Sequence, residues 1–232
     1  MKKIIFALFI FFTCTTKVAP EKTNLHRAAK RGDSKILEEL LKTSSPNDLH
    51  ARDKYGFTPL HVAAYFGQVE CVQCLIAHGA NVNTINDFES TPLHDAVNGG
   101  YSGCVRELLA HGAHTEVQNI DSLTPLHLAA MNGDDECLHA LLTHDANVNA
   151  QDNTNWTPLH FAAISDYSEC AQELMKHHAN INAKNADGKT PAMLALEDAF
   201  FDDIAFYLQP TITINTVVKT RPLKKTKKRK LT

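Results

Sequence analysis

The sequence predicts an all-α solenoid of about six stacked helix-turn-helix units joined by short β-hairpin loops. Three observations carry that expectation. Thr-Pro-Leu-His recurs at Thr58, Thr91, Thr124 and Thr157, and a worn copy, Thr-Pro-Ala-Met, begins at Thr190, every step being 33 residues. Helix-start, turn and hairpin signals repeat in phase with that motif. A unit this short cannot bury its own apolar face, so it must stack on copies of itself.

The elements follow in chain order. In the first unit, residues 22–53, Leu25-His26-Arg27-Ala28-Ala29 lies 35 residues ahead of Leu60-His61-Val62-Ala63-Ala64. The two extra residues predict a longer loop around Ser44-Ser45-Pro46. The first full unit, residues 54–86, starts its leading helix at Thr58, whose hydroxyl suits an N-cap, with Pro59 at the first helical position where no amide proton is needed. Leu60, Ala63 and Ala64 make a narrow apolar face that lets neighbouring helices approach closely. A second helix is expected over Val69 to Ala77, with Val72, Leu75 and Ile76 at helical spacing. Gly79 should end it in the left-handed region, as Gly112 does in residues 87–119. Asp145 and His178 replace that glycine in residues 120–152 and 153–185, and both types tolerate positive φ better than most. The last unit covers residues 186–208.

These copies are closely alike. Residues 58–83 read TPLHVAAYFGQVECVQCLIAHGANVN, residues 124–149 read TPLHLAAMNGDDECLHALLTHDANVN, and residues 157–182 read TPLHFAAISDYSECAQELMKHHANIN. Their period and motif resemble the ankyrin repeat family, over residues 22–208. The resemblance implies protein–protein recognition on a concave face built from hairpin tips and the exposed side of each first helix. Carried onto this chain, that face holds Lys54, Tyr55, Phe57, Tyr65 and Phe66, then Asp87, Phe88, Ser90 and Asn98, then Ile120, Leu123 and Met131, then Trp156 and Lys189. Aromatics and methionine are costly to leave exposed, and interface hot spots are rich in Trp and Tyr.

Charge is unevenly spread along the 232 residues. Residues 4–218 carry 13 basic side chains against 26 acidic ones, whereas residues 219–232 carry eight basic and no acidic ones. The run Lys224, Lys225, Lys227, Lys228, Arg229 and Lys230, within a C-terminal segment spanning 209–232, suits an import receptor or an anionic surface. At the other end, Met1-Lys2-Lys3 precedes nine apolar residues, Ile4 to Phe12. That pattern has the length of a signal peptide and is too short to span a bilayer, so residues 1–20 predict an export signal or a hydrophobic anchor. Phe11-Phe12-Thr13-Cys14 is a poor match to a lipoprotein box that would lipidate Cys14. Both ends together resemble secreted ankyrin repeat proteins of intracellular bacteria, which implies an exported effector acting in a host cell, with the host nucleus as one destination. A periplasmic or envelope-anchored scaffold and a nucleic-acid-associated factor using the basic tail are the alternatives.

Thirteen histidines and six cysteines suggest a metal site until they are set on the period. His61, His94, His127 and His160 occupy one position of four units, and His78, His111, His144 and His177 another. Stacked equivalents lie on the order of 10 Å apart, too far for ligands about 2.0–2.3 Å from one zinc. Cys71, Cys104, Cys137 and Cys170 likewise form a column of small core hydrophobes. Gly-rich phosphate loops, G-x-S-x-G and H-E-x-x-H are missing from the sequence. The expectation is therefore a monomeric binding protein with no cofactor, metal, small-molecule substrate or catalytic residue, whose partner is an unidentified protein.

Overall fold

The computed structural model of the chain describes residues 24–197. Within them lie five helix pairs and the first helix of a sixth. The first pair is α1 (Asn24–Arg31) and α2 (Ser34–Thr43), followed by a single turn, α3 (Pro46–Leu49). Then come α4 (Pro59–Tyr65) with α5 (Val69–Ala77), and α6 (Pro92–Asn98) with α7 (Ser102–Ala110). These lead into α8 (Pro125–Asn132) with α9 (Asp135–Leu142), and α10 (Pro158–Ile164) with α11 (Ser168–Lys176), before α12 (Pro191–Glu197). First helices pack on first helices and second on second, each pair touching only its neighbours, so the core is a ribbon between two helical layers. Leu60, Leu93, Leu126 and Leu159 form its fully buried spine on one side; Val72 and Leu75, Leu108, Leu138 and Leu141, and Leu174 form it on the other.

Two sequence expectations need correction. The segment after α2 is not an open loop, because Ser45 and Asp48 cap each other around a proline start, with the Ser45 amide donating to Asp48 Oδ2 at 3.0 Å. The projecting loops are hairpin-shaped turns, but no strand forms among the described residues. Their amides are satisfied by a side chain instead. Asp53 Oδ1 accepts from the Tyr55 and Phe57 amides at 2.8 and 2.9 Å, and Asn86, Asn119, Asp152 and Asn185 repeat that arrangement. Single rungs then join successive tips, the Asp87 amide to the Tyr55 carbonyl and the Ile120 amide to the Phe88 carbonyl, both at 3.0 Å.

The motif histidine ties these parts together. Its Nε2 meets a backbone carbonyl of the following unit, which can only accept, so Nε2 carries the proton. His61 donates to Ser90, His94 to Leu123 and His127 to Trp156 at 3.1 Å, His160 to Lys189 at 3.2 Å, and His26 to Phe57 at 2.9 Å. The bare Nδ1 then accepts from its own unit's threonine, amide and hydroxyl, at 3.2 and 2.8 Å for Thr58 with His61. Thr91, Thr124 and Thr157 repeat the pattern. The threonine amide, which can only donate, fixes the imidazole tautomer, and at Thr58 and Thr91 the hydroxyl also caps the helix by accepting from the His61 and His94 amides. Burial holds the His61 imidazole down at about 3 and that of His94 at about 4, against the carbonyl bonds that favour its charged form. His127 and His160 are lowered by the same cause.

Turn geometry agrees with the residues that occupy it. Gly79 and Gly112 have φ of 91° and 80°, and Asp145 and His178 adopt 60° and 66° in their place. Gly67 shows why one turn admits only glycine. Its φ is +70°, and a Cβ there would fall 2.4 Å from the Tyr101 ring, which lies across it from the next unit. Gly67→Ala is expected to lower stability by about 1–3 kcal/mol in urea melts. Adding Tyr101→Ala should recover part of that loss, and an additive pair would show that the ring is not the obstacle.

Candidate partner-binding face

The hairpin tips and the first helices share one side of the layered ribbon. The stack fixes the position of each backbone carbonyl before a motif threonine, because the preceding histidine holds it. The side chains at those places, Phe57, Ser90, Leu123, Trp156 and Lys189, have no such duty, so they are free to differ.

Three aromatic groups emerge on that side. On the first two tips, Phe88 lies between Tyr55 and Phe57, with ring centroids 6.3 and 6.2 Å away. Exposed Lys54 covers the Tyr55 ring with its ammonium at 4.6 Å. Tyr55, Phe57 and Phe88 are half-buried, which leaves each with a face toward solvent. Tyr65 and Phe66, at the end of α4, meet edge to face at 5.2 Å, and Lys30 of the first unit lies over Phe66 at 5.5 Å. Further along, half-buried Trp156 packs on Phe161 at 5.0 Å and on the His160 ring at 5.8 Å. Asp87 is exposed and joins Arg52 at 2.8 Å, tying the tips of neighbouring units.

Not every residue carried over from the resemblance presents itself equally. Leu123 is 7% exposed and belongs to the core, so it offers a partner little surface. Phe57, Phe66 and Met131 are split, packing partly on core residues and partly outward. Phe161 joins the Trp156 cluster although sequence reasoning passed over it; its column, Val62, Asp95, Leu128, Phe161, held the signal. Ile85 and Ile120 stand exposed on the hairpin side. The basic run Lys224, Lys225, Lys227, Lys228, Arg229 and Lys230, residues 1–20 and Cys14 all lie outside the described residues.

The columns that imitated chemistry have structural roles. Among the described residues, no group of three or more His, Cys, Asp or Glu side chains could hold a metal ion. Cys71, Cys104, Cys137 and Cys170 are buried free thiols, and burial raises Cys71 to about 11 and Cys104 to about 12, far from nucleophilic readiness. His78, His111 and His144 bond the carbonyl four residues earlier at 2.8, 2.9 and 2.9 Å, closing the last helical turn. No described helix is long and apolar enough to cross a membrane.

Comparison with known proteins agrees with the geometry. The family model for ankyrin repeats, in three copies, matches residues 25–119, 104–185 and 126–217. Delta-latroinsectotoxin-Lt1a of Latrodectus tredecimguttatus is 44% identical over 63 residues, which is 27% of this chain and 5% of the toxin. Human transient receptor potential cation channel subfamily A member 1 is 44% identical over 62 residues, 27% of this chain and 6% of the channel. Human ankyrin repeat domain-containing protein 29 is 45% identical over 56 residues, 24% of this chain and 18% of that protein. The chain therefore spans a small part of each relative, and the likeness is one of repeats. With the motif, the histidine bridges and the two-layer stack in place over most of its length, the chain belongs to the ankyrin repeat family.

Proposed function

We propose that the chain is a non-catalytic recognition module that holds a partner protein against its hairpin tips and first helices. The observation that supports this most is the run of half-buried aromatics crossing successive units, Tyr55, Phe57 and Phe88, then Tyr65 and Phe66, with Trp156 and Phe161 further along. A stack needs apolar groups between its layers. It has no need of rings on its outward side, where each costs hydrophobic exposure and supplies anchor area to a partner. Between residues 55 and 175, Arg106 is the one Lys or Arg beside fifteen acids, which argues against a nucleic acid on this face.

Because Phe57 and Phe66 also pack on the core, the clean test uses the outer rings. Tyr55→Ala with Phe88→Ala should keep the helical circular dichroism and shift the melting temperature only slightly, while abolishing recovery of cross-linked partner protein from cell extract. Unchanged recovery by the folded variant would contradict the proposal.

The proposed setting is that of an exported effector acting in a host cell. The basic start with its apolar run at residues 4–12, and the basic run at residues 219–232, support that setting. A tagged chain lacking residues 1–20, expressed in eukaryotic cells with and without residues 219–232, should be nuclear only when the basic run is present. Identical distribution would contradict nuclear import.

A further inference from the structure

The charge of the binding face changes sign at its first aromatic group. On the near side stand Lys30 and Arg31, which hold the places of Tyr65 and Phe66 in the first unit, and Lys54, at the start of the first tip. On the far side the next two tips carry Glu89 and Asp121. Arg31, Lys54, Glu89 and Asp121 are exposed, and among the described residues none of them forms an ion pair. Arg52 differs, because Asp87 at 2.8 Å and the Ile85 carbonyl hold it within the stack. Two of the near-side cations lie over rings, Lys54 at 4.6 Å from the Tyr55 centroid and Lys30 at 5.5 Å from that of Phe66. A ring attracts an ammonium without neutralising it, and leaves N–H donors for a carboxylate. The helix α4 separates these two pairs and rises about 10 Å over its 7 residues. That is the length of about three extended residues, so one short segment can touch both.

We infer that this end of the face takes an acidic segment of the partner protein, with a large apolar side chain set against the Tyr55 and Phe88 rings and carboxylates meeting Lys54, Lys30 and Arg31. The inference rests on the recognition function proposed above and adds the chemistry of the partner. The apolar anchor displaces water from around the cations, which strengthens each ion pair formed there. Glu89 and Asp121 repel a second acid beyond the anchor, so the acids of the segment lie on one side of it. The same asymmetry favours a peptide over a nucleic acid. A nucleic-acid strand carries a charge on every phosphate, and its course along the face would set phosphates against Glu89 and Asp121. A short acidic run stops before them.

The test is selection from a random peptide display library on the full chain and on a variant carrying Arg31→Glu with Lys54→Glu. The full chain should enrich peptides with Asp or Glu on one side of a large apolar residue and none on the other. The charge-reversed variant, checked for folding by circular dichroism, should lose that acidic preference by about tenfold or more. Added salt should weaken the enriched peptides on the parent. Peptides with an apolar consensus and no fixed acid would overturn the acidic segment and leave the recognition module standing. An acidic preference kept by the folded variant would overturn it too. So would a short single-stranded deoxythymidine oligonucleotide that binds the full chain and is lost in the variant, which would assign the cations to nucleic acid. Failure of the full chain to enrich any peptide would count against both the module and this site.

Discussion

Lowering the pH from 7.5 to 4.5 is expected to remove about 5 kcal/mol of stability through His61 and His94 alone. The native stack keeps both imidazoles neutral, down to about 3 and about 4. An unfolded chain binds those protons from about pH 6.5 downward. Between these limits the unfolded state holds more protons, so stability falls as pH falls, by about 1.4 kcal/mol per unit for each histidine. The loss begins at the unfolded value and ends at the native one. His127 and His160 act in the same direction, and Asp95, whose raised carboxyl protonates first in the native state, acts against them. Geometry gives the cause. A proton on Nδ1 would face the threonine amide that now donates to it, setting donor against donor in a buried place. Urea melts across this range should show the decline already between pH 6.5 and 5, above ordinary carboxylate titration. His94→Asn should be less stable at neutral pH and show a slope reduced by about one proton. A flat profile down to pH 5 would mean that the imidazoles do not carry the stack.

Leu60→Ala is expected to cost about 2–5 kcal/mol. Leu60 is fully buried between α4 and its neighbours, and the small alanines beside it, Ala63 and Ala64, hold the helices too close for other side chains to collapse into the space. A cavity therefore persists, and lost contacts add to the lost transfer energy. The damage falls on nearest-neighbour interfaces, so hydrogen exchange should quicken first in α1, α4 and α6. The contrasting substitution is Ile120→Ser at a tip residue 59% exposed, where the change should stay within about 0.5 kcal/mol. Equal effects at the two sites would contradict the division between spine and tip.

Much of this was legible in the sequence because the period does the aligning. Thr58, Pro59, Val69 to Ala77 and the positive φ of Asp145 and His178 all follow from one unit read against the next. What escaped has physical reasons. Leu123 and Trp156 share a column, yet one folds into the core and the other stays half outside. The column is defined by its carbonyl, which a histidine holds whatever the side chain, so position alone does not set burial. The hairpins were expected as strands, but an Asp or Asn side chain takes the amides that a strand ladder would have used.

The central claim is that the spine holds the stack and the tips with the first helices hold the partner. Hydrogen exchange read by mass spectrometry, on the full chain with and without cross-link-identified partner, tests it most directly. Protection should gather at residues 54–57, 65–66, 87–88 and 156–161, with the second helices α5, α7, α9 and α11 unchanged. Protection confined to those second helices would contradict the claim.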